Sequence, residues 1–307
     1  MRIAVLSRSE EFHSTRRLLE QARARGHEAH LLQILHARLR VTDKLDCFFD
    51  GAACPAVDAV VPRIGTFFPE FALTQLRALE SAGVWSLNSS RAIETARDKL
   101  RAAIELAANG IPVPRTVLVK DLDQLDVAID DVGGAPVVIK PISGSQGRGV
   151  MLGPTHESAI SILEGMIFQS REVLVQEFVT DHSGSDLRVL VLDGVPVVTV
   201  RRRASEGRFR TNFHRGGSLE RVATIADVEE LAVRAAGAVG LRFAGVDLVL
   251  GKNGPQVLEV NPSPGWQGIE SALGVDIATL VVQCLEASGD RSSGDQSPGD
   301  LGAGAKR

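Results

Sequence analysis

A chain of 307 residues is long enough for about two or three compact units with sizeable cores. Lysine and arginine number 34 against 38 aspartates and glutamates, so the formal net charge of −4 gives no global attraction for nucleic acid, and anion recognition must be local. Three cysteines, Cys47, Cys54 and Cys284, fit no disulfide framework and no metal-ligand spacing; with no signal-peptide core in Met1-Arg-Ile-Ala-Val-Leu6 and no apolar run near about 18 residues, a soluble cytoplasmic protein with reduced thiols and no membrane contact is expected.

Residues 3–6 read as a short apolar strand. A helical run through Leu18, Leu19 and Ala22 follows, then a stop at Gly26 and a second strand at 29–32, which together make a β-α-β unit. A strand at 58–61, a helix at 70–82 and a strand at 84–87 complete a parallel α/β lobe assigned to residues 1–92. Its first turn, Ser7-Arg-Ser-Glu-Glu-Phe12, lacks the glycine fingerprint of a dinucleotide site. One amphipathic helix is expected over 95–108, closed by Asn109-Gly110 and Ile-Pro-Val-Pro114. A second lobe, 93–175, alternates strands and helices: 116–119, 122–131, 137–140, 150–152, 157–168 and 173–175. A third, 176–287, carries strand-like runs at 187–192, 195–200, 245–250 and 256–261, expected to form a mixed antiparallel sheet. The stretch 288–307 is rich in Gly, Ser and Asp and is expected to be a disordered tail.

The strand Val137-Val-Ile-Lys140 runs into Pro-Ile-Ser-Gly144-Ser-Gln-Gly147-Arg-Gly149, whose glycines let backbone amides approach phosphate oxygens. No Lys-Ser/Thr pair follows, so this is a flap between strands or an ordinary hairpin connection rather than a P-loop. Lys140 favours the flap, because a lysine ending an apolar strand there can place its ammonium on the phosphates; Lys99 is a second candidate, or a solvated helix residue. Glu177 and Phe178, ending Leu174-Val-Gln176-Glu177-Phe178, could read a base through backbone groups, and Asp186 could bond a ribose hydroxyl or serve as a surface acid.

Six arginines lie between Arg201 and Arg215, in Arg201-Arg-Arg-Ala-Ser-Glu-Gly-Arg208-Phe-Arg210-Thr-Asn212-Phe-His214-Arg215. Guanidinium forks match carboxylates and phosphates, so the segment suits an anionic substrate and a transferring phosphoryl group. An RNA-contacting stripe and a solvated loop are the alternatives, although Phe209 and Phe213 alone make a poor stacking platform.

In Gln256-Val-Leu-Glu259-Val-Asn261, strand alternation puts Glu259 and Asn261 on one face. A hairpin through Gly251-Lys-Asn-Gly254 can bring Asp247 beside them, with Val249 and Val257 in the same phase. Two carboxylates and an amide oxygen among apolar neighbours suit a hard cation, Mg²⁺ or Mn²⁺, better than zinc; a solvated strand face is the simpler alternative.

Lys99, Lys140, the glycine flap, Gln-Glu-Phe, Asp186, Phe-Arg-Thr-Asn-Phe-His-Arg-Gly-Gly and Val-Asp…Glu-Val-Asn-Pro-Ser-Pro-Gly occur in this order, and with Val61-Pro-Arg-Ile-Gly-Thr66 and Ala96-Arg-Asp-Lys-Leu100 the chain resembles the RimK family of ATP-grasp ligases over nearly its whole length before the tail. The resemblance implies an α/β protein of α+β lobes: an ATP-grasp fold preceded by a Rossmann-like, pre-ATP-grasp parallel domain. It implies ATP at Lys99, Lys140, Glu177, Phe178, Asp186, Arg210, Thr211 and Asn212, and two Mg²⁺ or Mn²⁺ ions at Asp247, Glu259 and Asn261. Arg202, Arg203, Arg210 and Asn212 are the catalytic candidates. The implied reaction joins L-glutamate to the C-terminus of a ribosomal protein, the sixth of the small subunit, by way of an acylphosphate, in a homo-oligomer that binds no nucleic acid directly. Glutamylation of a small-molecule cofactor, free polyglutamate synthesis and a non-catalytic ATP sensor are the other readings. Departures from the family pattern at Ile142-Ser143-Gly144, Pro262, Trp266 and Gln267 bear on the acceptor rather than on ATP.

Overall fold

The protein is described by a computed structural model over residues 1–43, 45–142, 149–169, 172–179, 184–203, 218–223 and 225–294. Strand β1 (Arg2–Ser7), helix α1 (His13–Ala24) and strand β2 (Glu28–Gln33) form the expected unit, the strands pairing parallel from Arg2 with Glu28 to Ser7 with Gln33. α1 lies on the sheet because Thr15, Leu18, Leu19 and Ala22 recur at helical spacing and are buried together. An antiparallel meander of β3 (Ala37–Val41), β4 (Leu45–Phe49) and β5 (Ala52–Ala53) is inserted next. It was not among the expected elements, although Ala37-Arg-Leu-Arg-Val41 alternates with a strand's period. Strand β6 (Ala59–Pro62), helix α2 (Pro69–Ser81) and strand β7 (Trp85–Ser86) then close a parallel sheet of order β2-β1-β6-β7.

The helix expected over 95–108 is two helices, α3 (Ser90–Arg97) and α4 (Lys99–Ala108). Asp98 divides them: its backbone is extended, and its carboxylate accepts from the amides of Leu100 and Arg101, both at 3.0 Å, which caps α4. Lys99 thereby becomes the first residue of a helix, and its amide donates to the carbonyl of Ile142 at 3.2 Å.

The second lobe consists of β8 (Thr116–Val119), α5 (Leu125–Asp131), β9 (Val137–Pro141), β10 (Met151–Gly153), α6 (His156–Phe168) and β11 (Val173–Glu177). Its antiparallel sheet has the order β10-β9-β11-β8, and the two helices bury Leu125, Ile129, Ala159 and Leu163 against Val137, Ile139, Val173 and Val175.

The third lobe contains β12 (Ser185–Leu192), β13 (Val195–Arg203), β14 (Ser218–Arg221), α7 (Ala226–Ala238), β15 (Phe243–Gly251), β16 (Gly254–Asn261), α8 (Gln267–Leu273) and α9 (Ile277–Gly294). Its sheet, β14-β13-β12-β15-β16, is antiparallel at every pairing. One face is sealed by α7, which packs Val228, Leu231, Ala232 and Ala235 on Leu187, Val189, Val191, Val246 and Leu248. The other face turns toward the first lobe, where Leu190, Val198, Val200 and Phe243 share a core with Ile3, Val5, Leu18 and Trp266.

Helix α9 joins that core through Ala278, Val281, Val282 and Leu285, and the stripe continues to Ser288. The Ser288 hydroxyl is buried, donates to Cys284 O at 2.9 Å and accepts from Arg242 at 3.1 Å. The boundary expected at 288 therefore falls inside a helix that reaches Gly294, and residues 295–307 lie outside the described residues. No single helix among the described residues is long and apolar enough to cross a membrane.

Candidate active site

Asp247 and Glu259 are direct partners across β15 and β16, and Gly245 pairs with Asn261. The register slips after Asp247, where Leu248 pairs with Val257 and Leu258 becomes the extra residue of a bulge. The slip reverses the side-chain phase, so Val257 lies with Val246, Leu248 and Val260 in the core under α7. Strict alternation had placed Val257 among the acids. Asp247, Glu259 and Asn261 keep the opposite face, toward the first lobe, and that face is more polar than the sequence phase suggested.

Beside them, Arg188 of β12 is the register partner of Asp247, and Asp186 that of Arg202 on β13. Arg188 donates from Nε and Nη2 to the two oxygens of Asp247, each at 2.7 Å. Arg202 donates to both oxygens of Asp186 at 2.7 and 2.6 Å and reaches Asp247 at 2.8 Å. Burial works against the Asp247 charge, yet Arg188 and Arg202 outweigh it and hold the carboxyl below the usual carboxylate range. Burial also opposes the Arg202 charge, which Asp247 and Asp186 restore and raise above the ordinary value. Asp186, expected at a ribose hydroxyl, thus spends its oxygens on Arg202. Arg202 itself lines a side cavity of about 170 Å³ together with Arg188 and His13. Arg203 does not join it: strand alternation turns it to the opposite, exposed face, 3.6 Å from Glu220, so the two arginines are not one anion fork.

Lys140, near the end of β9, is buried and donates from Nζ to Gln176 Oε1 at 2.9 Å, while Gln176 Nε2 donates to Thr116 Oγ1 at 2.8 Å. Burial pushes the Lys140 ammonium down to about 8; Glu259 opposes that shift and Lys99 adds to it. Burial lowers Lys99 as well, again opposed by Glu259. Both amines line one small cavity with Thr116, Gln176 and Glu259. Two desolvated ammoniums facing one carboxylate leave a positive excess suited to phosphate oxygens.

At the end of β11 the Glu177 carboxylate accepts from Arg115 Nε at 3.1 Å and from the Arg115 amide at 3.3 Å, which holds it below its ordinary value. The Glu177 amide donates to Arg115 O at 2.9 Å and is not available to a base. Arg210, Thr211 and Asn212 lie outside the described residues, as do residues 143–148 of the glycine loop.

Among the described residues no three His, Cys, Asp or Glu side chains converge in a way that could hold a metal, and the set expected to bind a cation is two carboxylates and one amide, Asp247, Glu259 and Asn261. The Asn261 amide oxygen also accepts from the Ser263 amide at 2.9 Å. This all-oxygen set on adjacent strands fits Mg²⁺ or Mn²⁺, and a bound ion would share Asp247 with Arg188.

The site opens into a cleft of about 720 Å³. The first lobe contributes Arg8, Ser14, Arg63 and Phe67 to its walls; the far side contributes Lys99, Arg188, Asp247, Glu259 and Asn261. Asp98, Gln176, Arg188 and Arg63 are the site residues the sequence reading missed. Only Asp98 carried a local signal, an acid two and three residues before the amides it caps.

Residues 96–285 match the RimK-like ATP-grasp domain, and residues 1–93 match the RimK PreATP-grasp domain. The chain belongs to the RimK family of ATP-grasp ligases. It is 42% identical over 290 residues to the "Probable alpha-L-glutamate ligase" of Methanococcoides burtonii, covering 94% of this chain and 96% of that protein. A protein of the same description from Nitrosococcus oceani is 42% identical over 292 residues, 95% and 97% of the two chains. Among solved structures, the ATP-grasp ligase PsnB complexed with its minimal precursor superposes with a TM-score of 0.72 at 25% identity, over 92% of this chain and 98% of that one. The D-alanine–D-alanine ligase of Bacillus anthracis complexed with ATP shares the fold, with a TM-score of 0.68 at 18% identity over 97% and 100% of the two chains. In this RimK-family ligase, Lys99, Lys140 and Gln176 gather where the second and third lobes meet, and the acids Asp247 and Glu259 lie where that seam opens toward the first lobe.

Proposed function

We propose that the chain is an ATP-dependent α-L-glutamate ligase that lengthens the C-terminus of a ribosomal protein, the sixth of the small subunit. The observation that carries this reading is the convergence of two lysines, Lys140 buried and Lys99 half-buried, on Glu259, with Asp247 opposite it. That constellation neutralises phosphate on one side and offers oxygen ligands on the other. ATP would lie between the second and third lobes, with its phosphates at Lys140 and Lys99. Bound at Asp247, Glu259 and Asn261, two Mg²⁺ or Mn²⁺ ions would supply neutralisation of charge on the transferring phosphoryl group.

The acceptor carboxylate attacks the γ-phosphorus, releasing ADP and forming an acylphosphate. The glutamate amine then attacks the acyl carbon, the amide forms, and inorganic phosphate and a proton leave. No side chain need become covalently attached; the lysines hold phosphate, while Arg188 and Arg202 hold Asp247 in place. Glutamate as the donor is supported by relatives of 42% identity along almost the entire chain. A peptide tail as the acceptor is supported by the volume of the cleft, about 720 Å³, and by PsnB, of like fold, whose structure is complexed with a minimal precursor.

Mass spectrometry after incubation with ATP, Mg²⁺, L-glutamate and the ribosomal-protein tail tests this reading, with a pterin acceptor and an acceptor-free reaction alongside. Glutamyl additions confined to the tail are expected. Additions in the acceptor-free reaction would replace a protein substrate with free polyglutamate, and ADP release indifferent to glutamate would remove the ligase assignment.

A further inference from the structure

Arg63 follows β6 in Val61-Pro-Arg63-Ile-Gly-Thr66, a stretch that none of the ATP or cation contacts uses. Its guanidinium lies over the Trp266 ring, 4.4 Å from the centroid. Nη2 donates to Pro264 O at 2.7 Å and Nε to the Ser14 hydroxyl at 3.3 Å. Nη1 is shut off from solvent and has no hydrogen-bond partner. Every one of these neighbours is neutral; no carboxylate pairs with Arg63 among the described residues, and burial pushes its pKa down to about 9. The indole face attracts the guanidinium, but a ring contact and two hydrogen bonds to neutral groups leave its charge without a counter-ion.

Arg188 and Arg202 serve Asp247 and Asp186, Lys99 and Lys140 face Glu259, and Arg101 lies 3.4 Å from Asp98. Arg8 lies over the rings of Phe12 and Phe67, and Arg97 donates to Gly65 O at 2.9 Å. Arg63 and Ser14 line the same cleft from the first lobe. Pro264, which orients the guanidinium, lies three residues beyond Asn261, so whatever Arg63 binds is held beside the strand that carries the cation ligands.

We propose that Arg63, with Ser14, seats a carboxylate of the amino acid that donates the amine, and so determines substrate specificity from the first lobe. The inference rests on the ligase reading above. A planar fork fixed in advance by the indole face and the Pro264 carbonyl loses little freedom when a carboxylate arrives. An ammonium cannot reproduce that geometry.

The test uses full-length wild-type protein, Arg63→Met and Arg63→Lys. Each is titrated separately with L-glutamate, its α-amide, its γ-amide, ATP and the acceptor peptide, and amino-acid binding is followed by calorimetry. The expected result is a rise of about ten- to a hundred-fold in the glutamate KM of Arg63→Met, with the KM for ATP and for acceptor unchanged. The wild-type preference for glutamate over the amide that lacks the seated carboxylate disappears in Arg63→Met, and Arg63→Lys restores it only in part. A structural clamp instead weakens acid and amides alike, lowering kcat and Tm together, and that result overturns the proposal. So does a rise confined to the acceptor KM, which would give the carboxylate to the acceptor. If the wild-type protein turns over an amino acid other than glutamate, the glutamate assignment falls and Arg63 is judged on that amino acid and its amides. Equal binding of that amino acid to wild type and Arg63→Met removes the seat and leaves the ligase reading standing.

Discussion

Asp247 and Glu259 face each other across β15 and β16, yet they answer to different cations: Asp247 to the guanidiniums of Arg188 and Arg202, Glu259 to the ammoniums of Lys99 and Lys140. Asp247 is held by short hydrogen bonds in a buried network. Glu259 forms no ion pair within 4.0 Å among the described residues and acts on the lysines through the field. One carboxylate is therefore part of the fold and the site together, the other chiefly of the site.

The two should fail differently when changed. Asp247→Ala strands the Arg188 guanidinium in a largely buried setting and takes from Arg202 one of its two acids, and should cost about 3–5 kcal/mol, visible as a fall of several degrees in Tm along with lost activity. Glu259→Gln should melt close to wild type while ligation drops at least about a hundred-fold, since even outer partners of metal ligands cost roughly 10–100-fold. Melting curves beside ADP-release rates check the pair, and near-normal turnover in Glu259→Gln would remove the cation seat.

Lys140 links this site to pH. Its folded pKa of about 8 lies below the ordinary 10.5, so folding disfavours its charged form. The corresponding stability is fully present above the unfolded value and is lost as pH falls through about 8. Wild-type stability should therefore gain on Lys140→Met as pH rises across that window, in paired denaturant titrations. ATP acts in the reverse sense: phosphates favour the ammonium, so binding takes up a proton, and affinity should weaken as pH rises through about 8. Calorimetry in buffers of different ionisation enthalpy would reveal the uptake, and its absence would separate Lys140 from the phosphates.

The strands carrying Asp247, Glu259 and Asn261 were legible because period-two patterning and a glycine-flanked turn are local signals. The phase of Val257 was not, because the bulge at Leu258 is fixed by pairing across two strands. Arg188 was opaque for a like reason, since what it touches depends on register with β15, far away in sequence, and the partner of Asp186 across the β12–β13 hairpin depends on the register shift between Leu190 and Val191. The break at Asp98 hides inside a run whose apolar spacing continues through it, and Ser288 hides its burial behind a polar side chain at the next turn of α9's apolar stripe.

The Asp98 cap yields a prediction about Lys99. Asp98→Ala removes the acceptor for the Leu100 and Arg101 amides and should cost about 1 kcal/mol of stability. Because the cap sets where Lys99 enters α4, the ATP KM should rise more than that modest loss implies. Asp98→Asn, which can still cap, should recover most of both. Stability and ATP titration in the two variants would check it; a raised KM in Asp98→Asn equal to that of Asp98→Ala would place the effect in the charge rather than the cap.

Arg202 and Arg203 are neighbours in sequence with opposite environments, and alternation along β13 predicts opposite consequences for losing them. Arg203 is half exposed and 3.6 Å from an exposed Glu220, a pair worth at most about 1 kcal/mol, so Arg203→Ala should leave Tm and the glutamate and ATP constants nearly unchanged. Arg202 is 5% exposed and bridges Asp186 to Asp247. Arg202→Ala leaves two buried carboxylates short of a partner, which should cost about 3–5 kcal/mol and raise the Asp247 pKa toward the range where the carboxyl protonates, weakening cation binding. Arg202→Lys should rescue little, because one ammonium cannot offer the parallel donors that Asp186 accepts at 2.7 and 2.6 Å while also reaching Asp247. Melting temperature, Mg²⁺ dependence and steady-state kinetics of the three variants decide it. Comparable losses in Arg203→Ala and Arg202→Ala would return both residues to a shared anion site and contradict the strand register.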